Sequence, residues 1–137
     1  MSERTVDVFF YGLFMDVEVL EEAGVVPKNA RRAYADGFEL RIGERATLLP
    51  SLGGRVYGMV FSITHADLER LYSKPGLEHY RPEAILVQTF EGQRTPALCF
   101  NLIEAPQPHE QNEEYANRLR AVLTRLNFPA DYISSLG

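Results

Sequence analysis

The chain has one cysteine and no tryptophan among its 137 residues. A single thiol cannot close an intrachain disulfide, and Cys99, inside the apolar run Ala97-Leu98-Cys99-Phe100, reads as a small buried hydrophobe with no catalytic role. Positive charge is short as well: 14 Lys and Arg against 19 Asp and Glu leave a formal net charge of -5. A field of that sign repels a phosphate backbone, which argues against nucleic acid as a partner. No stretch approaches the roughly 18 to 20 apolar residues of a membrane-spanning helix. The opening Met1-Ser2-Glu3-Arg4 also lacks a long apolar segment ahead of a cleavage site. These absences lead to the expectation of no membrane partner and a cytoplasmic location.

Several chemical signatures are missing too. His65, His79 and His109 are scattered, with no pair at helical spacing and no cysteine pair nearby, so no metal site is expected. Ser51, Ser62, Ser73, Ser134 and Ser135 lie outside any Gly-x-Ser-x-Gly elbow. Neither a phosphate-cradling Gly-x-x-x-x-Gly-Lys nor a Gly-x-Gly-x-x-Gly occurs. The basic cluster Lys28, Arg31 and Arg32 follows Pro27 and reads as a solvated loop.

What is present is an ordinary globular composition, 45% hydrophobic and 24% charged, with seven Tyr and eight Phe to fill a core. A chain of this length suits one domain, expected to span residues 1–137. Val6 to Phe10 reads as a buried strand running into Tyr11-Gly12, and Asp16 as the cap of a short helix that stops at Gly24. Alternation around Tyr34, Phe38, Leu40 and Ile42 predicts twisted antiparallel strands, and Pro50-Ser51-Leu52-Gly53-Gly54 reads as a turn cluster. Val56 to Ile63 is a further strand, and Thr64 caps a helix of about two turns that stops at Pro75-Gly76. Ile85 to Phe90 and Ala97 to Ile103 flank Glu91-Gly92-Gln93 as a hairpin. Glu110 to Asn127 carries Tyr115, Leu119, Val122, Leu123 and Leu126 at helical spacing and is expected to be the longest helix, ended by Pro129 and followed by a short docking helix around Tyr132, Ile133 and Leu136.

Four segments in sequence order then point to a family. Tyr11-Gly12-Leu13-Phe14-Met15 after an apolar strand resembles the Tyr-Gly opening of the γ-glutamylcyclotransferase-like, or AIG2-like, family. Ala46 to Phe61, a Pro-containing turn followed by Val56-Tyr57-Gly58-Met59-Val60-Phe61, is similar to that family's turn and Val-x-Gly-x-aliphatic-aromatic strand. Asp67 to Leu71 with Tyr80-Arg81 resembles its Leu-x-x-Leu-Asp helix and Tyr-Arg strand, and Pro129 to Ile133 its closing Pro-x-x-Tyr segment. The resemblance implies an α+β fold, small and mixed, built around a twisted antiparallel sheet or barrel with flanking helices. It also implies a chemistry, in which a substrate's own α-amine attacks its γ-carbonyl, releasing 5-oxoproline and an amine. That step is intramolecular and needs positioning and one acid/base group, so no cofactor is expected.

By the same resemblance Tyr11, Gly12, Leu13, Phe14, Met15 and Tyr80 would line the main pocket, joined by the Pro75 to Tyr80 segment, and the ligand would be a small amine- or amide-bearing molecule. The acid/base position departs from the family pattern. Where the family has aspartate and, three residues on, glutamate, this chain has Tyr72 and Pro75. Proline cannot titrate, so Glu78 is the nearby carboxylate that could take the role. Two readings follow: a γ-glutamylcyclotransferase-like enzyme using Glu78, or a non-catalytic binding or regulatory module of the same fold. A Glu78 that points into the cavity with a raised pKa favours the first, and one that points to solvent the second.

Overall fold

The computed structural model describes residues 4–136; Met1 to Glu3, read above for a leader, lie outside them. Five strands close into a barrel in the order β1-β3-β2-β4-β5. They are β1 (Thr5–Phe10), β2 (Lys28–Ile42), β3 (Ala46–Thr64), β4 (Tyr80–Thr89) and β5 (Arg94–Leu102). All pairings are antiparallel except the seam between β1 and β5, which is parallel at Val8 and Leu98. β2 and β4 pair only through Ala33 with Thr89 and Tyr34 with Gln88, so the wall is thin there.

Period-two alternation sorts the apolar residues into two cores. Phe9, Ala33, Ala35, Leu48, Val56, Val60, Ile85, Val87 and Cys99 point into the barrel, with Tyr11 just beyond the end of β1. Val8, Phe10, Phe61 and Ile63 point outward and are covered by helices. The small residues Ala33, Ala35, Ala46 and Ala97 leave room inside for Phe9 and Tyr11.

The helices are α1 (Val17–Glu22), α2 (His65–Tyr72), α3 (Glu113–Arg125) and α4 (Ala130–Ser135), with one 3₁₀ turn at Leu13–Met15. Three begin at side-chain caps. Asp16 accepts from the Glu18 amide at 3.0 Å, Thr64 from Asp67 at 3.1 Å and Asn112 from Tyr115 at 3.1 Å, each cap contributing about 1 kcal/mol. From α3 the buried Leu119, Val122 and Leu123 pack on the outer core. Each such large side chain, fully buried, contributes about 1.5–3 kcal/mol. Among the described residues no helix is long and apolar enough to cross a membrane.

The expected strands and helices are found, with shifted ends. α3 starts at Glu113 rather than Glu110, because the Glu110 carboxylate is occupied by the Gln107 amide at 2.7 Å, closing a turn ahead of the helix. Two expectations are corrected. Pro50 to Gly54 does not end a strand, since β3 runs through it: Phe38 pairs with Pro50 and Asp36 with Arg55, so Ser51 to Gly54 bulge out opposite the single residue Gly37. Gly37 and Gly53 supply the positive φ, 89° and 80°, that this excursion requires. Lys28, Arg31 and Arg32 are not a loop but part of β2. Arg31 reaches across β3 to Asp7 of β1, at 2.9 Å, with Ser62 donating to the same carboxylate at 2.9 Å.

Candidate functional site

Where β1 ends, Tyr11 still points into the barrel while Gly12 turns the chain into the 3₁₀ turn, the Met15 amide donating back to the Gly12 carbonyl at 3.0 Å. A recess of about 50 Å³ opens at this turn, lined by Phe9, Phe10, Tyr11, Gly12, Ala46, Tyr72, Tyr80, Phe100 and Tyr115. The residues come from six elements or their ends: β1, β3, β4, β5 and the two helices α2 and α3 that cover them. Gly12 is extended, with φ -113°, so backbone freedom is not the reason for glycine here. The reason is proximity: a Cβ on Gly12 would collide with the Tyr115 hydroxyl.

Aromatic packing sets the walls. Tyr72, the last residue of α2, stacks on Phe100 with centroids 3.8 Å apart and planes 12° apart, and its ring lies 6.2 Å from that of Tyr80. The polar ends are tied down. The Tyr80 hydroxyl donates to the Ala46 carbonyl at 2.6 Å. The Tyr11 hydroxyl donates to the Phe100 carbonyl at 2.6 Å, with Asn101 Oδ1 3.0 Å away. Asn101 is in turn oriented by Nδ2 donating to Glu83 at 2.8 Å. Burial pushes the phenols of Tyr11, Tyr72, Tyr80 and Tyr115 above their ordinary range, so all four are neutral at physiological pH. Each fixed phenol keeps acceptor lone pairs, and each ring presents a negative face.

Of the residues expected to line the pocket, the structure brings Tyr11, Gly12 and Tyr80 together. Leu13, Phe14 and Met15 do not line this recess: the 3₁₀ turn rotates them toward the outer core, where Met15 is fully buried and Phe14 packs edge-on against Phe10 and Tyr72. The Pro75 to Tyr80 segment contributes Tyr80 alone, since Pro75 and Glu78 are exposed. The Glu78 side chain is 59% exposed, 3.9 Å from His79. Its carboxyl is held below the ordinary range first by the backbone amides of Glu78 and Gly76, with lesser pulls from His79 and Arg45. That is the reverse of the inward, raised-pKa carboxylate that the enzymatic reading required. The recess is also not the main cavity. A larger polar groove of about 890 Å³ lies between the β2–β3 tip, the 108–113 segment, α3 and the end of α4, lined by Arg41, Glu110, Glu113 and Arg120 among others.

Sequence reasoning missed Phe9, Phe10, Ala46, Tyr72, Phe100 and Tyr115 as walls. Tyr115 was assigned by helical spacing to a packing face, and Phe100 by its apolar run to a strand. Nothing local marks either as facing the Gly12 turn. Among the described residues no cluster of three or more metal-ligating side chains occurs.

Comparison with known proteins agrees with this architecture. Residues 8–118 match the family model described as gamma-glutamyl cyclotransferase, AIG2-like. Among solved structures, one named gamma-glutamyl cyclotransferase aligns with TM-score 0.78 and 18% identity over 96% of this chain and 86% of that one. YkqA from Bacillus subtilis aligns with TM-score 0.78 and 23% identity, over 97% of this chain and 53% of its own. An AIG2-like protein from Mus musculus aligns with TM-score 0.58 and 18% identity, over 82% and 91%. At these identities the likeness speaks for the fold. A search of curated proteins finds no significant match.

Proposed function

The chain belongs to the gamma-glutamyl cyclotransferase, AIG2-like family, and on that premise we propose that it is a small-ligand-binding member. It takes an amine or amide end-group into the recess beside Gly12 and does not turn it over. The observation that carries this reading is the composition of the walls: four tyrosines and three phenylalanines with Gly12 and Ala46, and no carboxylate. Ring faces attract an ammonium group, and tied-down phenol oxygens accept hydrogen bonds from an ammonium or an amide N–H. At about 50 Å³ the recess holds one functional group, since a water molecule claims roughly 30 Å³ of liquid. The rest of the ligand would lie outside it.

Cyclisation needs more. The α-amine must lose a proton as it attacks the γ-carbonyl, and the departing nitrogen must gain one as the amide bond breaks. A group doing this has to titrate near neutral pH and sit within about 2.6–3.2 Å of the proton, or one water away. The recess phenols hold their protons too tightly for the first role, and Glu78 faces solvent.

The test has two arms. Amide resonances of Gly12 and Tyr80 are followed by NMR while butylamine or butanamide is added, and a γ-glutamyl butylamide is assayed for 5-oxoproline. Shifts centred on Gly12 without 5-oxoproline are expected. Efficient release of 5-oxoproline refutes the non-catalytic reading, and shifts confined to distant residues refute the site.

A further inference from the structure

Four arginines are half-buried among the described residues: Arg31, Arg41, Arg45 and Arg120. Three have partners. Arg31 pairs with Asp7, Arg41 donates to the Pro106 carbonyl, and Arg120 donates to the Leu136 carbonyl and to Asn117. Arg45 alone makes no hydrogen bond or ion pair within the described fold. Its guanidinium lies against Gly76, close enough that a Cβ there would stand 3.3 Å from Nη2, and it borders a cavity of about 390 Å³ with His79, Leu102, Ile103 and Glu104.

This cavity and the aromatic recess are built from the same three pieces of chain. Arg45 precedes the recess residue Ala46, His79 precedes Tyr80, and Leu102 lies two residues beyond Phe100, paired with Tyr80 across the β4–β5 ladder. The two spaces therefore stand side by side at one end of the barrel. A partly desolvated guanidinium whose donors are unused within the fold is suited to an anion, and its planar fork matches a carboxylate. Glu104 in the wall, with Glu78 next to His79, weighs against a doubly charged phosphate more than against a single carboxylate. Ile103, 70% exposed, offers an apolar surface beside it.

We infer that Arg45 anchors the carboxylate of a bifunctional small ligand whose amine or amide end occupies the aromatic recess. This rests on the recess reading above and narrows its ligand class to molecules carrying a carboxylate at the other end. His79 and Ile103 flank the connecting chain.

The probes are 5-aminopentanoate, pentylamine and pentanoate, titrated separately against the full chain by calorimetry and amide NMR. 5-Aminopentanoate is expected to bind about tenfold or more tighter than pentylamine, in line with a charge-assisted hydrogen-bonded contact. Arg45→Gln should erase that advantage and leave pentylamine binding unchanged, and Arg45→Lys, which keeps the charge without the fork, should recover part of it. Unaltered spectra away from the site establish that both variants fold. An equal affinity for 5-aminopentanoate and pentylamine, or an advantage that survives Arg45→Gln, overturns the anion subsite while leaving the recess reading intact. Should pentylamine not move Gly12 and Tyr80, the recess reading falls by itself. Pentanoate then decides the subsite: shifts at Arg45 and His79 that Arg45→Gln abolishes uphold it, and their absence overturns it.

Discussion

Gly12→Ala isolates the contact that shapes the recess. Gly12 has φ -113° and ψ -151°, a conformation alanine adopts freely, so no backbone strain is added. The new methyl would overlap the Tyr115 hydroxyl, whereas the ring carbon that bears the hydroxyl stands at 3.7 Å, an ordinary contact. Overpacking of this kind costs about 1–3 kcal/mol. The lower entropy of the unfolded alanine chain offsets roughly 0.4–1 kcal/mol. A net loss of about 1–2 kcal/mol follows, or roughly 3–7 °C in Tm for a chain of this size. Tyr115→Phe removes the oxygen and with it the overlap, so in that background Gly12→Ala should be neutral or slightly stabilising. Urea unfolding of the four proteins closes a double-mutant cycle, with an expected coupling of about 1.5–3 kcal/mol. Additivity within about 0.5 kcal/mol would refute the placement of Tyr115 over Gly12.

Tyr72→Ala deletes one wall and its stack on Phe100; a loss of about 3 kcal/mol in urea unfolding should accompany binding of bulkier amines than the original recess admits, and unchanged ligand size selection would contradict Tyr72 as a wall. Burial tends to raise the Asp7 carboxyl, but the hydrogen bonds from Arg31 and Ser62 and the charge of Arg31 outweigh it and hold the group below its ordinary 3.8. Its contribution is therefore complete above that value and lost as pH falls through the lower folded one. The stability advantage over Asp7→Asn, no more than about 1 kcal/mol for a pair this close to solvent, should shrink below pH 4 in thermal melts, and a difference that grows on acidification reverses the assignment. Burial pushes the Cys99 thiol up to about 11, so Ellman's reagent at pH 8 should react only on unfolding; fast labelling of the native chain would place Cys99 outside the barrel.

The strands and helices were legible because their signals are local, whereas the barrel entered only through the family resemblance. β1 and β3 carry apolar runs at Val8-Phe9-Phe10 and Val60-Phe61, and Thr64 and Asp16 are strong caps. The Pro50 to Gly54 cluster misled because turn residues mark a change of direction without saying whether the ladder resumes; here it resumes with Arg55 opposite Asp36, bonded at 2.6 Å. The basic cluster misled in the same way, since the partner of Arg31, Asp7, sits two strands away and 24 residues back. The site was legible only in part. Tyr11, Gly12 and Tyr80 stand in motifs, but the rest of the lining comes from Phe9, Phe10, Ala46 and Phe100 on the strands and from Tyr72 and Tyr115, brought in by helix docking that no local pattern reports.

Tyr72 and Pro75 stand where the resemblance led to the expectation of acidic groups, and of the two only Tyr72 lines the recess. A carboxylate facing a recess walled by seven aromatic residues would lose its hydration without a cation inside the recess to replace it, a cost that ordinarily drives the group toward neutrality. Tyr72, stacked on Phe100, presents there a ring that needs no counter-ion. The loop that follows turns outward through Pro75, and the carboxyl of Glu78 is held below its ordinary range by the backbone amides of Glu78 and Gly76. Gly76 leaves room for the Arg45 guanidinium. Under the proposal made above, such a site holds a carboxylate-bearing molecule by its two ends and moves no proton within it.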